Sequence, residues 1–441
     1  MSTASYALGV DFGTSITVAV ARTPDGRTRT LLVDGSPLLP SAVYADLSSA
    51  LLVGRDAEFS ARLEPARFEP NPKRRIDDGA VLLGEREVTV VDLIAAVLRR
   101  VREEWTRVVG GAEPELTLTH PAAWGAPRRA VLTAAAGVAG FDQVRLIAEP
   151  VAAAAYLLHV LGHHLPVGSV VVVHDLGAGT LDVSAVRRTP EGFEILAVAG
   201  RDDLGGADLD AAVIAHLGQS LRVRCPSVWD RLTEPVTVED RRMRRMFWDD
   251  VRAAKERLSR AASVEIVVPL AGIDLHLTRA EFESLATPML IEAVALTSAL
   301  VTRLEVAEDR IVGVFLVGGS SRIPLLSTLL FQAFGRPPIA IEQPELVVGE
   351  GSILTGEGPP TRAVRQSRAE PARSSPARSR STRPGGWRRW LLRFASAAVL
   401  PVLPVLAGTL VVAAAVIGLL VYSVSTRQGW LPDWTFLPKW R

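Results

Sequence analysis

Apolar and polar residues follow one another along most of the chain in patterns that predict alternating strands and helices. Short apolar runs predict strands at 6–10, 16–21, 169–174, 181–187 and 311–317. Longer segments with a helical period predict helices at 91–109, 127–139, 208–223 and 278–305. Because both kinds of segment alternate from Tyr6 to Leu354, we expect an α/β fold with helices packed on sheets.

Two of the predicted strand pairs form an internal repeat. YALGVDFGTSITVAV, from Tyr6, and SVVVVHDLGAGTLDVSAV, from Ser169, each contain an apolar run, an aspartate, a Gly-Thr turn and a second apolar run. The corresponding residues are Asp11 and Asp175, Gly13 and Gly177, and Thr14 and Thr180. Each copy predicts a β-hairpin whose turn amides can cradle a phosphate, while the aspartate can hold hydrated Mg²⁺. A single copy is typical of an ordinary hairpin, but two copies favour a phosphate site.

A third glycine turn occurs in IVGVFLVGGSSRIPLLSTLLFQAF, from Ile311 to Phe334. A predicted buried strand runs into Gly318 and Gly319, then Ser320, Ser321 and Arg322, and then an amphipathic helix. Paired glycines admit a flat ring or a ribose against the backbone, and an arginine guanidinium can stack on a base. Taken alone, the segment is equally typical of a plain strand-to-helix turn.

Composition limits the classes of function. A chain of 441 residues predicts two or three domains, and 48% hydrophobic with 22% charged residues is typical of globular proteins. The single cysteine, Cys225, excludes an intrachain disulfide and a cysteine metal cluster, and it suits a reducing compartment. Residues 357–441 carry 13 basic and 3 acidic residues, so residues 1–356 carry 36 and 45. The globular part is therefore acidic, and no nucleic-acid partner is expected.

The C-terminal residues differ from the rest of the chain. Residues 357–390 are rich in Pro, Arg and Ser without an apolar period, which predicts a disordered linker. No charged residue lies between Arg393 and Arg427, and about 20 apolar residues suffice to cross a bilayer. We therefore expect a transmembrane segment within 391–426, rather than a buried core helix, and a short extracytoplasmic tail at 427–441.

Charge predicts the orientation of that segment. Ten arginines lie between Arg362 and Arg393, whereas three basic residues follow the span. The positive-inside rule places residues 1–356 in the cytoplasm, attached to the cell membrane by a single pass. The arginines can also hold anionic lipid head groups of the bilayer. An RNA-binding interpretation is disfavoured because no aromatic residues are interleaved among them.

Taken together, the motifs resemble a known family. The three glycine turns accompany LIAEPVAAAAYLL (Leu146 to Leu158), LTLTHPAAWGAPRRAVLTAAAGVAGF, LGGADLD (Leu204 to Asp210) and VRAAKERLS (Val251 to Ser259). Over about residues 6–355 this ordered set resembles the ATPase domain of the seventy-kilodalton heat-shock chaperones, in the actin, sugar-kinase and heat-shock ATPase superfamily. The resemblance implies a two-lobed actin-like fold of duplicated RNase H-like domains. Lobe I would be 1–166 and lobe II 167–356, with ATP or ADP and Mg²⁺ in the cleft.

The resemblance also implies roles for individual residues. Asp11 and Asp175 would hold Mg²⁺ through waters, and the catalytic residues would be Lys73, Glu149, Thr180 and Asp182. Lys73 would contact the γ-phosphate and the attacking water. Without the resemblance, Lys73 in its basic run is typical of a solvated surface. The nucleotide-binding set would be Gly13, Thr14, Ser15, Gly177, Ala178, Gly179, Gly205, Gly206, Lys255, Ser259, Gly318, Gly319, Ser320, Arg322 and Glu345.

Several residues depart from the family pattern, among them Ile16 and Thr17 in place of the polar pair after the first loop. Ala178 stands where the family has the middle of three glycines, and its methyl group would crowd the turn if its φ were positive. Arg252 replaces a glutamate that faces the adenosine, and Glu345 replaces an aspartate. These departures bear on nucleotide affinity and rate more than on the fold.

The expected function is a membrane-anchored, chaperone-like ATPase that hydrolyses ATP slowly. Nucleotide state would control lobe closure and the binding of a protein partner or client, with an exchange factor or co-chaperone as a further partner. The residues after 356 show no strand pattern of a peptide-binding domain, so we expect that domain to be missing. The alternatives are a non-hydrolysing nucleotide-sensing scaffold and an actin-like filament protein on the membrane.

Overall fold

The computed structural model describes residues 6–48, 50–269, 271–355 and 361–362. These residues lie within one compact unit, Met1–Arg368. The strands are β1 (Ala7–Phe12), β2 (Ile16–Arg22), β3 (Thr28–Thr30), β4 (Leu39–Pro40), β5 (Val43–Ala45), β6 (Leu51–Val53), β7 (Phe68–Glu69), β8 (Ala80–Leu83), β9 (Arg86–Thr89), β10 (Glu115–His120), β11 (Gln143–Ala148), β12 (Val170–Leu176), β13 (Leu181–Arg188), β14 (Phe193–Arg201), β15 (Ser263–Val268), β16 (Ile273–Thr278), β17 (Ile311–Val317) and β18 (Thr361–Arg362).

Helices connect and cover these strands. They are α1 (Arg55–Ala61), α2 (Val90–Val109), α3 (Ala126–Val138), α4 (Glu149–His159), α5 (Gly206–Arg224), α6 (Pro226–Thr233), α7 (Val238–Leu258), α8 (Arg279–Thr302), α9 (Pro324–Phe334) and α10 (Val347–Ser352). All nine strands and helices with predicted ranges are present, with bounds that differ from the prediction by no more than three residues.

Two sheets repeat one topology. The seven-stranded sheet has the order β18-β11-β10-β1-β2-β3, with β4 paired to β2, and the four-stranded sheet has the order β14-β13-β12-β17. In the first, the antiparallel hairpin β1–β2 lies beside the parallel strand β10. In the second, the antiparallel hairpin β12–β13 lies beside the parallel strand β17. The repeat in the sequence is therefore also a repeat in the strand order.

Each sheet has a hydrophobic core on a helical face. Leu8 and Val10 of β1 are buried in one cluster with Leu93 and Val97 of α2. Val172 of β12 is buried in another cluster with residues of α5, α7 and α8. Burying each such aliphatic side chain stabilises the fold by about 1.5–3 kcal/mol. The two cores fix the hairpins rigidly, and with them the turns at their ends.

Helix α8 is the one helix in the described part of the chain that is long and apolar enough to cross a membrane by length and composition. It begins with a capping box in which Thr278 accepts from the Glu281 amide. Phe282, Ala286 and Leu290 of this helix are buried in the core of the four-stranded sheet. We therefore assign α8 to the core. The span predicted within 391–426 lies outside the described residues.

The predicted linker contributes a short strand. Thr361 and Arg362 form β18, which pairs antiparallel with Val144 and Gln143 at the free edge of β11. Two residues of the segment 357–390 therefore extend the seven-stranded sheet. The rest of that segment lies outside the described residues.

Candidate functional site

A cavity of about 640 Å³ lies where the turns of the two hairpins meet. Its volume falls within the range of about 300–1,000 Å³ that is typical of small-molecule sites. All but two of the residues predicted for the site line this cavity. The two exceptions, Gly179 and Gly205, pack against each other behind it. A Cβ on Gly205 would lie 2.6 Å from the carbonyl carbon of Gly179.

The two repeated turns have the same hydrogen bond. The Gly13 amide donates to the Ile16 carbonyl at 3.1 Å, and the Gly177 amide donates to the Thr180 carbonyl at 3.0 Å. The turns also approach each other closely, since a Cβ on Gly179 would lie 2.9 Å from Cγ2 of Thr14. The cavity is thus bounded on two sides by equivalent glycine turns, as the sequence repeat predicts.

Four carboxylates surround one lysine at this end of the cavity. Asp11 and Asp175 lie near the ends of β1 and β12, Glu149 begins α4, and Asp182 lies in β13. The short 3₁₀ turn Pro72–Arg75 brings in Lys73, whose Nζ lies 2.8 Å from Oε1 of Glu149. Both side chains of that pair are only 10% exposed.

Hydroxyl groups orient two of the carboxylates. Thr119 of β10 donates to Oδ1 of Asp11 at 2.7 Å, and Thr180 donates to Oδ2 of Asp182 at 2.9 Å. The Asn71 side chain lies 3.1 Å from the Ser15 hydroxyl, which ties the first turn to the segment that carries Lys73. Asn71 was not among the predicted residues. An asparagine before a proline signals a local turn and does not indicate a long-range contact.

The positive charge near these four carboxylates is too small to neutralise them. Burial raises the pKa of Asp11 and of Asp182, and it raises the pKa of Glu149 to about 7. Burial and the neighbouring carboxylates together raise the pKa of Asp175 well above its usual value. Burial alone would lower the pKa of Lys73, but Glu149 and Asp11 outweigh it and raise that pKa.

This donor set fits a hydrated divalent cation. One lysine cannot neutralise four buried carboxylates, so all four ionise together only if further positive charge enters. No group of three or more His, Cys, Asp or Glu side chains within the described ranges is arranged to ligate a metal directly. Mg²⁺ retains several waters and needs few direct carboxylates, so Asp11 and Asp175 suit it through water.

The third glycine turn is attached to the second. Gly318 has φ +81°, and a Cβ there would clash with the Asp175 carboxylate and lie 2.6 Å from the Leu176 carbonyl oxygen. The Ser320 hydroxyl donates to the Gly177 carbonyl at 2.9 Å. Arg322, which follows, is held by Glu345 at 2.7 Å. Glycine is therefore required at position 318 both by the backbone conformation and by the space available.

Helices α5 and α7 form the opposite wall. Nζ of Lys255 lies 2.7 Å from Oδ1 of Asp210 and donates to the Gly206 carbonyl at 2.7 Å. Nε of Arg252 donates to Oδ2 of Asp210 at 3.3 Å, and Ser259 also lines this wall. Asp210 was not predicted. Although it belongs to the quoted LGGADLD segment, a lone acid on a helix is typical of a solvated face.

Ala178 does not strain its turn. Asp34 is the one non-glycine residue with a positive φ among those the structure describes, so the φ of Ala178 is not positive. The crowding considered from the sequence does not occur.

Lysine is confined to this cavity within the described part of the chain. The sequence has lysine at positions 73, 255 and 439, and every other basic residue is arginine. Lys73 and Lys255 are 10% and 9% exposed, and each is paired with a carboxylate. Since a compact ammonium presents three donors from one point and arginine presents a wide planar fork, the two are not interchangeable in a narrow cavity.

A family model described as Hsp70 protein matches residues 65–358, about two thirds of the chain. The chain belongs to the Hsp70 family. The Chaperone protein DnaK of Thermotoga neapolitana is 28% identical over 362 residues, which cover 79% of this chain and 59% of that protein. The Chaperone protein HscA homolog of Aeromonas hydrophila is 30% identical over 376 residues, with coverages of 80% and 57%.

The Hsp70 match agrees with the geometry of the site. Hsp70 proteins are ATPases that bind ATP or ADP with Mg²⁺, and the mixed α/β fold is consistent with their actin-like ATPase domain. This chain spans about three fifths of the length of the curated relatives it matches.

Proposed function

We propose that this chain is a membrane-anchored Hsp70-type ATPase that binds MgATP between the two sheets and hydrolyses it slowly. Nucleotide state would set the closure of lobe I (1–166) on lobe II (167–356), and thereby the binding of a protein partner. The observation that carries the proposal is the buried group of four carboxylates around Lys73, enclosed by the two glycine turns.

Each turn supports one side of the phosphate chain. The amides of Gly13, Thr14 and Ser15 would bind phosphate oxygens from the first turn, and those of Gly177, Ala178 and Gly179 from the second. Mg²⁺, when bound at Asp11 and Asp175, would neutralise the charge on those oxygens. Phosphoryl transfer depends mainly on such positioning and charge, and it needs no covalent intermediate.

Glu149 is suited to hold or accept a proton at this site. Burial places its pKa at about 7, near the value at which a general base works best at neutral pH. Its Oε1 holds Lys73, which leaves Oε2 to accept a proton from an attacking water. Thr180 and Asp182 would orient that water through their mutual hydrogen bond.

The C-terminal segment is proposed as the membrane anchor. The uncharged stretch from 394 to 426 and the ten arginines before it support a single span with the ATPase lobes in the cytoplasm. Residues 357–390 would be the linker, and their composition does not predict a peptide-binding domain. A protein partner, with an exchange factor or co-chaperone, would bind the lobes.

The experiment is single-turnover hydrolysis of ATP by the full-length protein in detergent, with and without Mg²⁺. We expect Mg²⁺-dependent release of phosphate that falls at least tenfold in Glu149→Gln. Glu308→Gln, at a 91% exposed acid, is the matched control and should leave the rate unchanged. Absence of nucleotide binding in the wild type would overturn the proposal.

A non-hydrolysing nucleotide scaffold is the second candidate. The ion pairs Lys255–Asp210 and Arg322–Glu345 already engage side chains predicted to contact the nucleoside, which favours weak or slow use of ATP. Tight MgATP binding with no phosphate release over hours would select the scaffold. Electron microscopy with ATP would show filaments if the actin-like alternative held.

A further inference from the structure

The two ends of the cavity differ in charge. The end described above has four carboxylates, one lysine and Arg74. The other end has five cationic side chains and four acids along its lining. The cations are Arg252, Lys255, Arg257, Arg260 and Arg322, and the acids are Glu58, Asp210, Glu256 and Glu345.

Half of those acids are already neutralised. Both oxygens of Asp210 are engaged, Oδ1 by Lys255 at 2.7 Å and Oδ2 by Arg252 at 3.3 Å. Glu345 accepts from Arg322 at 2.7 Å. The negative charges of Asp210 and Glu345 are therefore balanced by cations, while Oδ1 of Asp210 and Oε2 of Glu345 have no hydrogen-bond partner within the described residues.

Arg252 retains free donors toward the cavity. It contacts Asp210 through Nε, and among the residues that the structure describes its two terminal nitrogens, Nη1 and Nη2, have no hydrogen-bond partner. Its side chain is 40% exposed and lines the cavity. A guanidinium fork with two free nitrogens matches the oxygens of a phosphate in a bidentate pair.

Whether a carboxylate or a guanidinium faces the ribose determines whether a phosphate on a ribose hydroxyl can bind there. A carboxylate accepts from a ribose hydroxyl and repels a phosphate at that position, whereas an arginine binds the phosphate, as in dinucleotide sites. With Asp210 neutralised, Arg252 offers donors and a positive charge on the helix that would face the nucleoside. Glu256, one turn further along α7, also lines the cavity.

We propose that the cavity selects nucleotides that carry a phosphate on a ribose hydroxyl, and that Arg252 is the specificity-determining residue. This inference rests on the proposed nucleotide site and names the substrate class of that site. The 5′-phosphates would occupy the glycine turns, and the additional phosphate would pair with Nη1 and Nη2 of Arg252.

The test is calorimetric binding of ADP, ADP with a 3′-phosphate and ADP with a 2′-phosphate to the full-length protein in detergent. We expect the wild type to bind one of the ribose-phosphorylated forms at least tenfold more tightly than ADP. The two arms distinguish which hydroxyl carries the phosphate. The preference should weaken as salt is raised, because a partly exposed charge pair is screened.

Two substitutions isolate Arg252. Arg252→Gln should abolish the preference, and Arg252→Glu should reverse it in favour of ADP by at least tenfold. Glu239→Gln, at an exposed acid of the same helix that does not line the cavity, is the matched control and should change the affinity ratio by less than threefold. Thermal melting of each variant checks that it folds, and Arg252→Gln removes a single 3.3 Å contact.

Two results distinguish failure of the ribose-phosphate preference from failure of the nucleotide site. If ADP binds at least as tightly as both phosphorylated forms and Arg252→Glu leaves the ratio unchanged, this inference is overturned while the nucleotide site stands. If none of the three ligands binds, the proposed function fails and this inference fails with it.

Discussion

Replacing Lys73 by alanine should reduce the rate of hydrolysis far more than it reduces the stability of the fold. Lys73 pairs with Glu149 at 2.8 Å, and both side chains are only 10% exposed. Breaking a buried ion pair commonly costs about 3–5 kcal/mol, because an uncompensated charge remains. Here the remaining charge can be removed by protonation, because burial already raises the pKa of Glu149 to about 7. We therefore expect a loss of only about 1–2 kcal/mol in the free energy of unfolding at pH 7.

The effect on hydrolysis should be much larger. A charged contact that strengthens in the transition state typically contributes about 100- to 1000-fold in rate, or roughly 3–4 kcal/mol. Lys73→Ala should therefore slow single-turnover hydrolysis by that factor while changing the dissociation constant of MgATP by less than tenfold. Urea unfolding, single-turnover kinetics and titration calorimetry on one preparation measure all three quantities.

Lys255→Ala is a matched comparison. Lys255 is 9% exposed and pairs with Asp210 at 2.7 Å, so it resembles Lys73 in burial and charge. It lies at the other end of the cavity, so we expect weaker nucleotide binding with a comparatively small change in the rate of the bound complex. If Lys73→Ala hydrolyses at the wild-type rate while the wild type is clearly active, Lys73 is not at the reacting phosphate and the reasoning is refuted.

Three further predictions concern the backbone, pH and topology. Gly318→Ala should abolish nucleotide binding or folding, because its Cβ would meet the Asp175 carboxylate at a φ of +81°; binding equal to the wild type would contradict this. Burial lowers the pKa of His174 to about 4, so the unfolded chain takes up a proton first below about pH 6.5, and wild-type stability should fall by about 2 kcal/mol between pH 7 and pH 5 through this group. His174→Asn, which can keep the 2.9 Å contact to Thr297, should lack that part of the decrease when urea unfolding is measured against pH. If the free energy of unfolding falls equally with pH in both proteins, His174 is not the cause. Protease added to intact cells should spare residues 1–356, and digestion of the lobes would show that the orientation predicted from the arginines is wrong.

The sequence predicts the strands and turns of the site better than its walls. Asp11, Asp175 and the glycines follow apolar strands, so a repeated local pattern suffices to find them. Lys73 is predicted only from the resemblance to a family. Its local sequence, a basic run with Arg74 and Arg75, is typical of a solvated surface. Asp210 and Asn71 are different, since their roles depend on which helix or turn packs opposite them.

The short strand β18 also depends on distant parts of the chain. Two residues at Thr361 and Arg362 leave no periodic signal, so their pairing with β11 depends on the free edge of a sheet built from distant segments. Likewise, the length and apolar composition of α8 fit both a core helix and a membrane span, and only its packing in the core distinguishes the two.

The scarcity of lysine makes the cleft chemically addressable without any substitution. Before Lys439, primary side-chain amines occur only at Lys73 and Lys255, one at each end of the cavity and each at least 90% buried. A lysine-specific endoprotease therefore has just two target bonds within the first 438 residues, and cleavage at either requires the cleft to open. Reductive methylation with ¹³C-formaldehyde would label one lysine at each end of the cavity, besides Lys439. Opening and ligand occupancy could then be followed separately at the two ends in the unmutated protein.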